Sequence, residues 1–323
     1  MKIRLLVLNF LICGTVLATD NYNYQGLKYT GSKQKILIWG GETGWFGQEM
    51  VKILTKLGHT AISAKSRLEN RQDIIAEIEA IKPDRIVNAA GVTGRPHIDW
   101  CEDHRPETIR ANIIGALNLV DIAYTYKLHM TNMGTGCLYD FDEKHPKGSG
   151  IGFKETDDAN HYTSFYCASK VYLEKLLLEY PNVLNLRVRM PLSYDFHFRN
   201  FIIKITSYAK VINEPNSLSV LEDLLPVAVD MTLRNLKGSY NFVNPGVMTH
   251  NEILDLYQKY VDSSFKYVNF TIAEQDRILK AARSNCELDT TKLLQEYPHI
   301  PHIKASVEKA LLAMRKIKSQ QIK

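Results

Sequence analysis

A doubly wound α/β fold, with a parallel sheet covered on both faces and a smaller C-terminal lobe, is predicted by two features of the chain. Short apolar runs alternate with helical patterns from residue 35 to residue 188. The first run, Ile36-Leu-Ile-Trp39, leads straight into a glycine-rich turn, Gly41-Glu-Thr-Gly44-Trp-Phe-Gly47. Glycines at that spacing between a strand and a helix form a Rossmann-type dinucleotide cradle.

Lys35 to Trp39 reads as a buried strand, and Phe46 to Leu57 as the helix it feeds, ending at Gly58. Thr60 to Ala64 is a second short strand. Arg71 to Ile81 has helical periodicity and stops before Pro83, after which Arg85 to Ala90 is strand-like. Thr108 to Tyr126 reads as one long amphipathic helix, His129 to Met133 as the next strand and Phe165 to Glu179 as another helix. Leu184 to Val188 is a strand that stops at Met190-Pro191. Beyond Pro191 the pattern loosens, returning at Val220 to Leu233, Tyr240 to Val243, Thr249 to Tyr260 and Ser306 to Ile317. The expected organisation is a leader and linker over residues 1–34, a dinucleotide-binding domain over 35–190, and a mainly substrate-binding lobe over 191–323, with a return of some segments to the main sheet left open.

Bulk composition narrows the function class. At 323 residues and 45% hydrophobic the chain builds a substantial core. The net charge of +5 is spread along the sequence, so no basic groove for nucleic acid is expected. A mild positive balance suits an anionic small substrate or a phosphorylated cofactor. The five cysteines, Cys13, Cys101, Cys137, Cys167 and Cys286, show neither disulfide-scaffold density nor metal-ligand spacing, and read as reduced thiols.

The N-terminus pulls the other way. Met1-Lys-Ile-Arg4 precedes an apolar run from Leu5 to Ala18, the pattern of a signal peptide or a short anchor. The plainer alternative is an extension ahead of the folded domain. A polar, tyrosine-rich stretch, Thr19 to Lys35, follows it. A cytoplasmic location is favoured, with a secretory-pathway location kept open by the leader.

Gly41, Gly44 and Gly47 permit a tight turn, close approach to a diphosphate and close helix–sheet packing. Thr43, Trp45 and Phe46 in the turn, with Ala89 and Ala90 at the end of the third strand, belong to the same cofactor site. After the second strand come Lys65-Ser-Arg67 where an NAD site places an acid, so Arg67 favours the 2′-phosphate of NADPH over NADH.

Tyr166 and Lys170 lie four residues apart on one helix face. A phenol with a pKa of about 10 is a poor acid–base catalyst until a nearby cation stabilises its anion. Lys170 is placed to do so and to reach the cofactor ribose. Met133-Gly-Thr-Gly-Cys137 sets Thr135 and Cys137 at the crevice, where Thr135 is placed to bond the substrate oxygen.

These residues resemble the extended short-chain dehydrogenase/reductase family, and within it the bifunctional 3,5-epimerase/4-reductases that make nucleotide-linked L-rhamnose. The strings that carry the likeness include Gly91-Val-Thr-Gly-Arg-Pro-His-Ile-Asp-Trp-Cys-Glu102, Thr135-Gly-Cys137, Lys147-Gly-Ser-Gly-Ile-Gly-Phe-Lys154, Arg187-Val-Arg-Met-Pro191, Arg199-Asn-Phe-Ile-Ile-Lys204, Asn244-Pro-Gly246 and Ala282-Arg-Ser-Asn285. The resemblance implies that Cys137 and Lys204 act in epimerisation, and that Tyr166 protonates the alkoxide oxygen formed at carbon 4 during NADPH-dependent reduction. It implies UDP-4-dehydro-6-deoxy-D-glucose as substrate and UDP-L-rhamnose as product. An upstream nucleotide-sugar 4,6-dehydratase is then required, and a homodimer is expected. Arg283 and Asn285 are candidates for the nucleotide diphosphate, with Arg95 and His97 near the sugar.

Two rivals share the same scaffold. A dTDP-4-dehydrorhamnose reductase without epimerase activity needs Tyr166 and Lys170 but not Cys137 or Lys204. A non-catalytic NADP-binding regulatory subunit needs none of them intact.

Overall fold

The computed structural model describes residues 22–94 and 97–321. The sheet contains β1 (Lys35–Trp39), β2 (Thr60–Ser63), β3 (Arg85–Asn88), β4 (His129–Thr135), β5 (Val183–Val188) and β6 (Gly238–Asn241). All six strands are parallel, in the order β2-β1-β3-β4-β5-β6. The chain steps outward from β1 to β2 and returns to the other side of β1 as β3. That reversal opens a crevice at the carboxyl ends of β1 and β3, where doubly wound sheets bind their ligands.

Helices α1 (Trp45–Lys56), α2 (Arg71–Ile81), α3 (Trp100–Asp103), α4 (Arg105–Ile109), α5 (Gly115–Thr125) and α6 (Phe165–Leu177) accompany the first five strands. Beyond β5 come α7 (Phe201–Thr206), α8 (Leu221–Leu233), α9 (His250–Tyr260), α10 (Ile272–Ile278), α11 (Thr291–Glu296) and α12 (Ile303–Gln321). Strand β1 explains why both faces are covered. Its Ile36 and Ile38 enter one core with Met50 and Ile53 of α1 and Leu224 of α8, while Leu37 and Trp39 enter another with Ile74 of α2 and Leu119 of α5. A separate core, including Leu192, Ile202, Leu218, Leu254 and Leu311, lies in the segments after β5.

The helix expected to run unbroken from Thr108 to Tyr126 is interrupted. Between α4 and α5 the backbone makes a π-turn over Arg110–Ile114. Asn112 within it donates to the Val92 carbonyl and accepts from the Val92 N–H, both at 2.8 Å. The widened turn carries this buried amide to the loop after β3, a tertiary demand that periodicity does not reveal. The short helices α3, α7, α10 and α11 likewise fall where the sequence pattern is loose.

A row of polar side chains crosses the sheet interior. Asn88 Nδ2 donates to Asn132 Oδ1 at 2.9 Å, Asn132 Nδ2 to Asn185 Oδ1 at 2.8 Å, and Asn185 Nδ2 to Ser239 Oγ at 3.1 Å. These residues are in register on β3, β4, β5 and β6. Ser239 passes its own proton to Glu174 of α6 at 3.0 Å.

Ahead of β1, Tyr22, Tyr24 and Tyr29 pack against the core that contains α1 and α8. The buried Asp230 of α8 accepts the backbone N–H of Lys28 at 2.8 Å and of Tyr29 at 2.6 Å, and the Tyr297 hydroxyl at 2.7 Å. The apolar leader lies outside the described residues. Among the described residues no helix is long and apolar enough to cross a membrane.

Candidate active site

The glycine turn is built for close approach. A Cβ at Gly47 would meet the Gly40 carbonyl oxygen at 2.2 Å, one at Gly44 the same oxygen at 2.5 Å, and one at Gly41 the Ser63 hydroxyl at 2.5 Å. Helix α1 starts at Gly44 with no side-chain cap and no acid in its first turn, so its N–H groups face the crevice free for an anion. A dinucleotide diphosphate fits this cradle. Ala89 closes its far side, its carbonyl only 2.6 Å from a Cβ at Gly40, and Asn88 Oδ1 receives the Ala90 N–H at 3.2 Å. Trp45 turns into the core and stacks on His197 at 4.5 Å, and on Phe46 at 5.8 Å. The Thr43 carbonyl accepts from Arg199 at 3.2 Å. The turn is therefore fastened to the segment that carries Lys204.

Tyr166, Lys170, Thr135 and Cys137 converge at the end of β4. Ser164 caps α6 by accepting from the Cys167 N–H, which fixes the first turn carrying Tyr166. Tyr166 is buried with Cys101 and Cys167, and Cys137 packs against them. Burial drives its phenol well above the ordinary value, Cys137, Cys167 and Cys101 add to this, and the nearby Thr135 side chain opposes it. The phenol is thus held protonated, the state a proton donor needs. Lys170 sits with Nζ 5.9 Å from the Tyr166 ring centre. Burial pushes its ammonium down to about 8, with Cys101 opposing. Cys137 donates its backbone N–H to Thr135 Oγ1 at 3.2 Å, which ties the cysteine loop to the end of β4.

Lys204 lies on α7 with its side chain open to solvent. Surrounding protein, then the Arg199 guanidinium, lowers its pKa. It makes no side-chain hydrogen bond to Thr135, Cys137 or Tyr166. Helix α7 is anchored by Asn200, which accepts from Ile202 N and donates to the Ser193 and Asp195 carbonyls.

Asp99 gathers two of the expected substrate residues. Arg283 pairs with it at 2.8 Å and His97 at 3.5 Å, and it also accepts the backbone N–H groups of Lys280 and Ala281. Burial raises its pKa, but these partners outweigh burial and hold the carboxyl below its ordinary value. Asn285 is fixed by Asp140, which accepts its N–H at 2.9 Å, and by Asn216, which donates to its Oδ1 at 2.9 Å. Arg95 lies outside the described residues.

At the end of β2, Glu77 accepts the backbone N–H groups of Lys65 and Ser66 and so shapes the loop leading to Arg67. Here a cleft of about 610 Å³ is lined by Arg67, Glu69, Asn70, Arg71, Gln72 and Arg110. Arg71 is committed to Asp121 at 2.5 Å, whereas Arg67 and Arg110 form no ion pair among the described residues. The cleft is remote in sequence from Tyr166, and its cations suit the phosphorylated end of a dinucleotide.

Residues 36–191 match the NAD dependent epimerase/dehydratase family. A bifunctional dTDP-4-dehydrorhamnose 3,5-epimerase/dTDP-4-dehydrorhamnose reductase of Arabidopsis thaliana is 50% identical over 281 residues, covering 87% of this chain and 93% of that protein. The chain belongs to this epimerase/reductase family. A trifunctional UDP-glucose 4,6-dehydratase/UDP-4-keto-6-deoxy-D-glucose 3,5-epimerase/UDP-4-keto-L-rhamnose-reductase of the same plant is 51% identical over 276 residues, 85% of this chain. The chain spans only 41% of the length of that larger relative. The crystal structure of a UDP-rhamnose synthase from Acanthamoeba polyphaga mimivirus superposes with a TM-score of 0.83 at 35% identity, covering 88% of this chain and all of that one. The family and the fold are those of NAD(P)-binding enzymes.

Four residues of this family member escaped the sequence reading. Asn112 and Arg110 carry no periodic or motif signal, and Asp99 and Arg189 are known only as members of longer strings. Asp99 lies within the Gly91 to Glu102 string and Arg189 within Arg187 to Pro191, neither with a role of its own in sequence terms.

Proposed function

We propose that the chain converts UDP-4-dehydro-6-deoxy-D-glucose to UDP-L-rhamnose, first inverting carbons 3 and 5 and then reducing the ketone at carbon 4. One observation carries this reading. Cys137 packs against the buried cluster that contains Tyr166 and gives its N–H to Thr135 at the end of β4, so the proton donor for reduction and the thiol for epimerisation lie side by side.

The ketone acidifies the protons on its neighbouring carbons. Lys204, with its pKa lowered by crowding and by Arg199, is the base that removes each proton to give an enolate. Cys137 is the acid that returns a proton on the opposite face. NADPH, when bound, supplies the hydride for carbon 4. Tyr166 protonates the forming alkoxide, while Lys170 bonds the ribose and stabilises the phenolate left behind. Thr135 orients the carbonyl oxygen. Arg283 and Asn285 bind the nucleotide diphosphate, with His97 and Arg95 beside the sugar. Most of the substrate lobe comes from residues 191–323.

Preference for NADPH is supported by Arg67 and Arg110 in the cleft beyond β2, with Glu69 its only carboxylate among the lining residues. Cytoplasmic residence is supported by four free thiols, Cys101, Cys137, Cys167 and Cys286. The substrate is drawn from a 4,6-dehydratase. We also propose a homodimer.

The deciding experiment incubates the full chain with NADPH and freshly prepared UDP-4-dehydro-6-deoxy-D-glucose in deuterated water. NMR of the product is expected to show UDP-L-rhamnose with deuterium at carbons 3 and 5. Reduction without inversion or exchange would leave a reductase alone, and would remove Cys137 and Lys204 from the mechanism.

A further inference from the structure

Arg189 is a buried guanidinium that forms no ion pair among the described residues. It follows β5 and is 1% exposed. Its Nη1 donates to the Gly136 carbonyl at 3.2 Å and to Ser284 Oγ at 2.9 Å. Its Nη2 donates to the Ser284 carbonyl at 2.6 Å and to Asn216 Oδ1. All four acceptors are neutral, and Nε has no partner among the described residues. Arg187, two residues earlier, is also buried but meets the Glu174 carboxylate at 2.6 Å. An unopposed buried charge is strongly unfavourable, so its retention calls for a physical reason.

Sulfur lies beside the contact between Arg189 and Gly136: Cys286 Sγ approaches the same Gly136 carbonyl at 3.8 Å, and Cys137 is the next residue. Burial opposes ionisation of Arg189, but Cys286, Cys137 and Cys167, with Asp140 behind them, outweigh it and hold its pKa above the ordinary range. Asp140 is already engaged by His161 Nδ1 at 2.5 Å and by the Asn285 N–H at 2.9 Å. Cys167 and Cys286 are buried, and burial raises both thiols, Cys286 to about 11. Cys137 is the partly exposed member of the group, and Arg189 holds the carbonyl of the residue before it. Gly136 has little freedom to shift, since a Cβ there would lie 2.7 Å from Leu288.

We propose that Arg189 is a positioning residue for epimerisation: it fixes the Gly136 carbonyl, and with it Cys137, and supplies the positive charge against which Cys137 gives up its proton. This rests on the reading of Cys137 as the proton donor. In that step the S–H bond breaks, its electron pair stays on sulfur, and the enolate pair forms the new C–H bond as the ketone is restored. The proton taken by Lys204 returns to the thiolate through solvent, so no oxidant or reductant is needed. Because the groups Arg189 hydrogen-bonds at rest are neutral, a thiolate forming at Cys137 adds a new attraction that strengthens on the way to the transition state.

The test uses the full chain as native protein, Arg189→Met, Arg189→Lys, Cys137→Ser and the Arg189→Met/Cys137→Ser double variant. Deuterium exchange at carbons 3 and 5 of the 4-keto substrate is followed beside NADPH-dependent reduction of the already epimerised 4-keto sugar. Arg189→Met is expected to slow exchange about 100-fold, the size of a lost transition-state donor, and to slow reduction far less. Arg189→Lys, which keeps a cation, recovers much of the exchange. In the Cys137→Ser background Arg189→Met adds little further loss. Equal loss of both reactions without rescue by lysine, or additive losses in the double variant, would reduce Arg189 to a brace. If circular dichroism shows Arg189→Met unfolded, Arg189→Lys carries the test: exchange well above that of Cys137→Ser is expected, and exchange as low as that variant overturns the proposal. A native chain that reduces the epimerised sugar but exchanges no deuterium would defeat the epimerase reading itself, and the Arg189 proposal with it.

Discussion

The backbone N–H of Asn23 donates to the Glu222 carbonyl at 2.8 Å. Within α8 that carbonyl belongs to the N–H four residues on, but position 226 is proline and has none to give. The segment ahead of β1 supplies the missing donor, then runs on to Asp230, which holds the Lys28 and Tyr29 N–H groups. A break in one helix is thus mended by a distant stretch of chain.

Removing this strap is expected to destabilise the protein although it lies outside the sheet. A chain beginning at Lys35 leaves the Glu222 carbonyl and the Asp230 carboxylate short of donors, a loss of about 3 kcal/mol or more. Urea unfolding of that chain beside one beginning just ahead of Tyr22 measures the difference. Matching midpoints would show the strap to be energetically idle.

Cofactor discrimination is expected to reside beyond β2. Arg67→Ala and Arg110→Ala each remove a cation from the cleft. Each is expected to raise KM for NADPH about 10- to 100-fold, the worth of a charge-assisted hydrogen bond, with little change for NADH. Steady-state kinetics with both cofactors decides it, and parallel losses for both would place the arginines outside the phosphate site.

The two half-reactions are expected to separate by mutation. Tyr166→Phe slows reduction about 100-fold or more while deuterium exchange at carbons 3 and 5 continues. Lys204→Met does the reverse, stopping exchange while an already epimerised sugar is still reduced. Loss of both activities in either variant would point to a common structural defect.

Lys170 gives a pH signature in the protein without cofactor. Burial lowers its pKa to about 8. Unfolding therefore takes up a proton between about pH 8 and the free-lysine value of about 10.4, and stability contributed by this residue rises with pH across that window. The penalty is complete below about pH 8. Lys170→Met is then expected to stabilise the fold at about pH 7, with the gain shrinking by about pH 10. Denaturant unfolding at both values checks it, and an equal gain at both would deny the charge its role.

The sheet and the glycine turn were legible because each depends on local pattern. The run Ile36 to Trp39 followed by Gly41 fixes a strand and its turn within a dozen residues. Tyr166 and Lys170 were equally visible, since one helix face brings them together. What escaped depends on distant partners. The π-turn at Asn112 exists because Val92 needs its amide, and the meeting of His97 with Arg283 depends on Asp99. The special character of Arg189 is the carboxylate it lacks, which no inspection of its neighbours in sequence supplies.

The row Asn88, Asn132, Asn185 and Ser239 has a direction, each asparagine donating to the side chain on the next strand and Ser239 passing the last proton to Glu174 of α6. Such a row behaves as a single inherited unit. An apolar residue at Asn132 would strand an acceptor on one side and a donor on the other, so a lineage cannot drift out of this arrangement one position at a time. Exchange of the whole row for valines or leucines is open to it, but the intermediates are closed. A one-residue slip between any two of β3 to β6 would break the row, so these side chains hold the strands in registry alongside the backbone ladder.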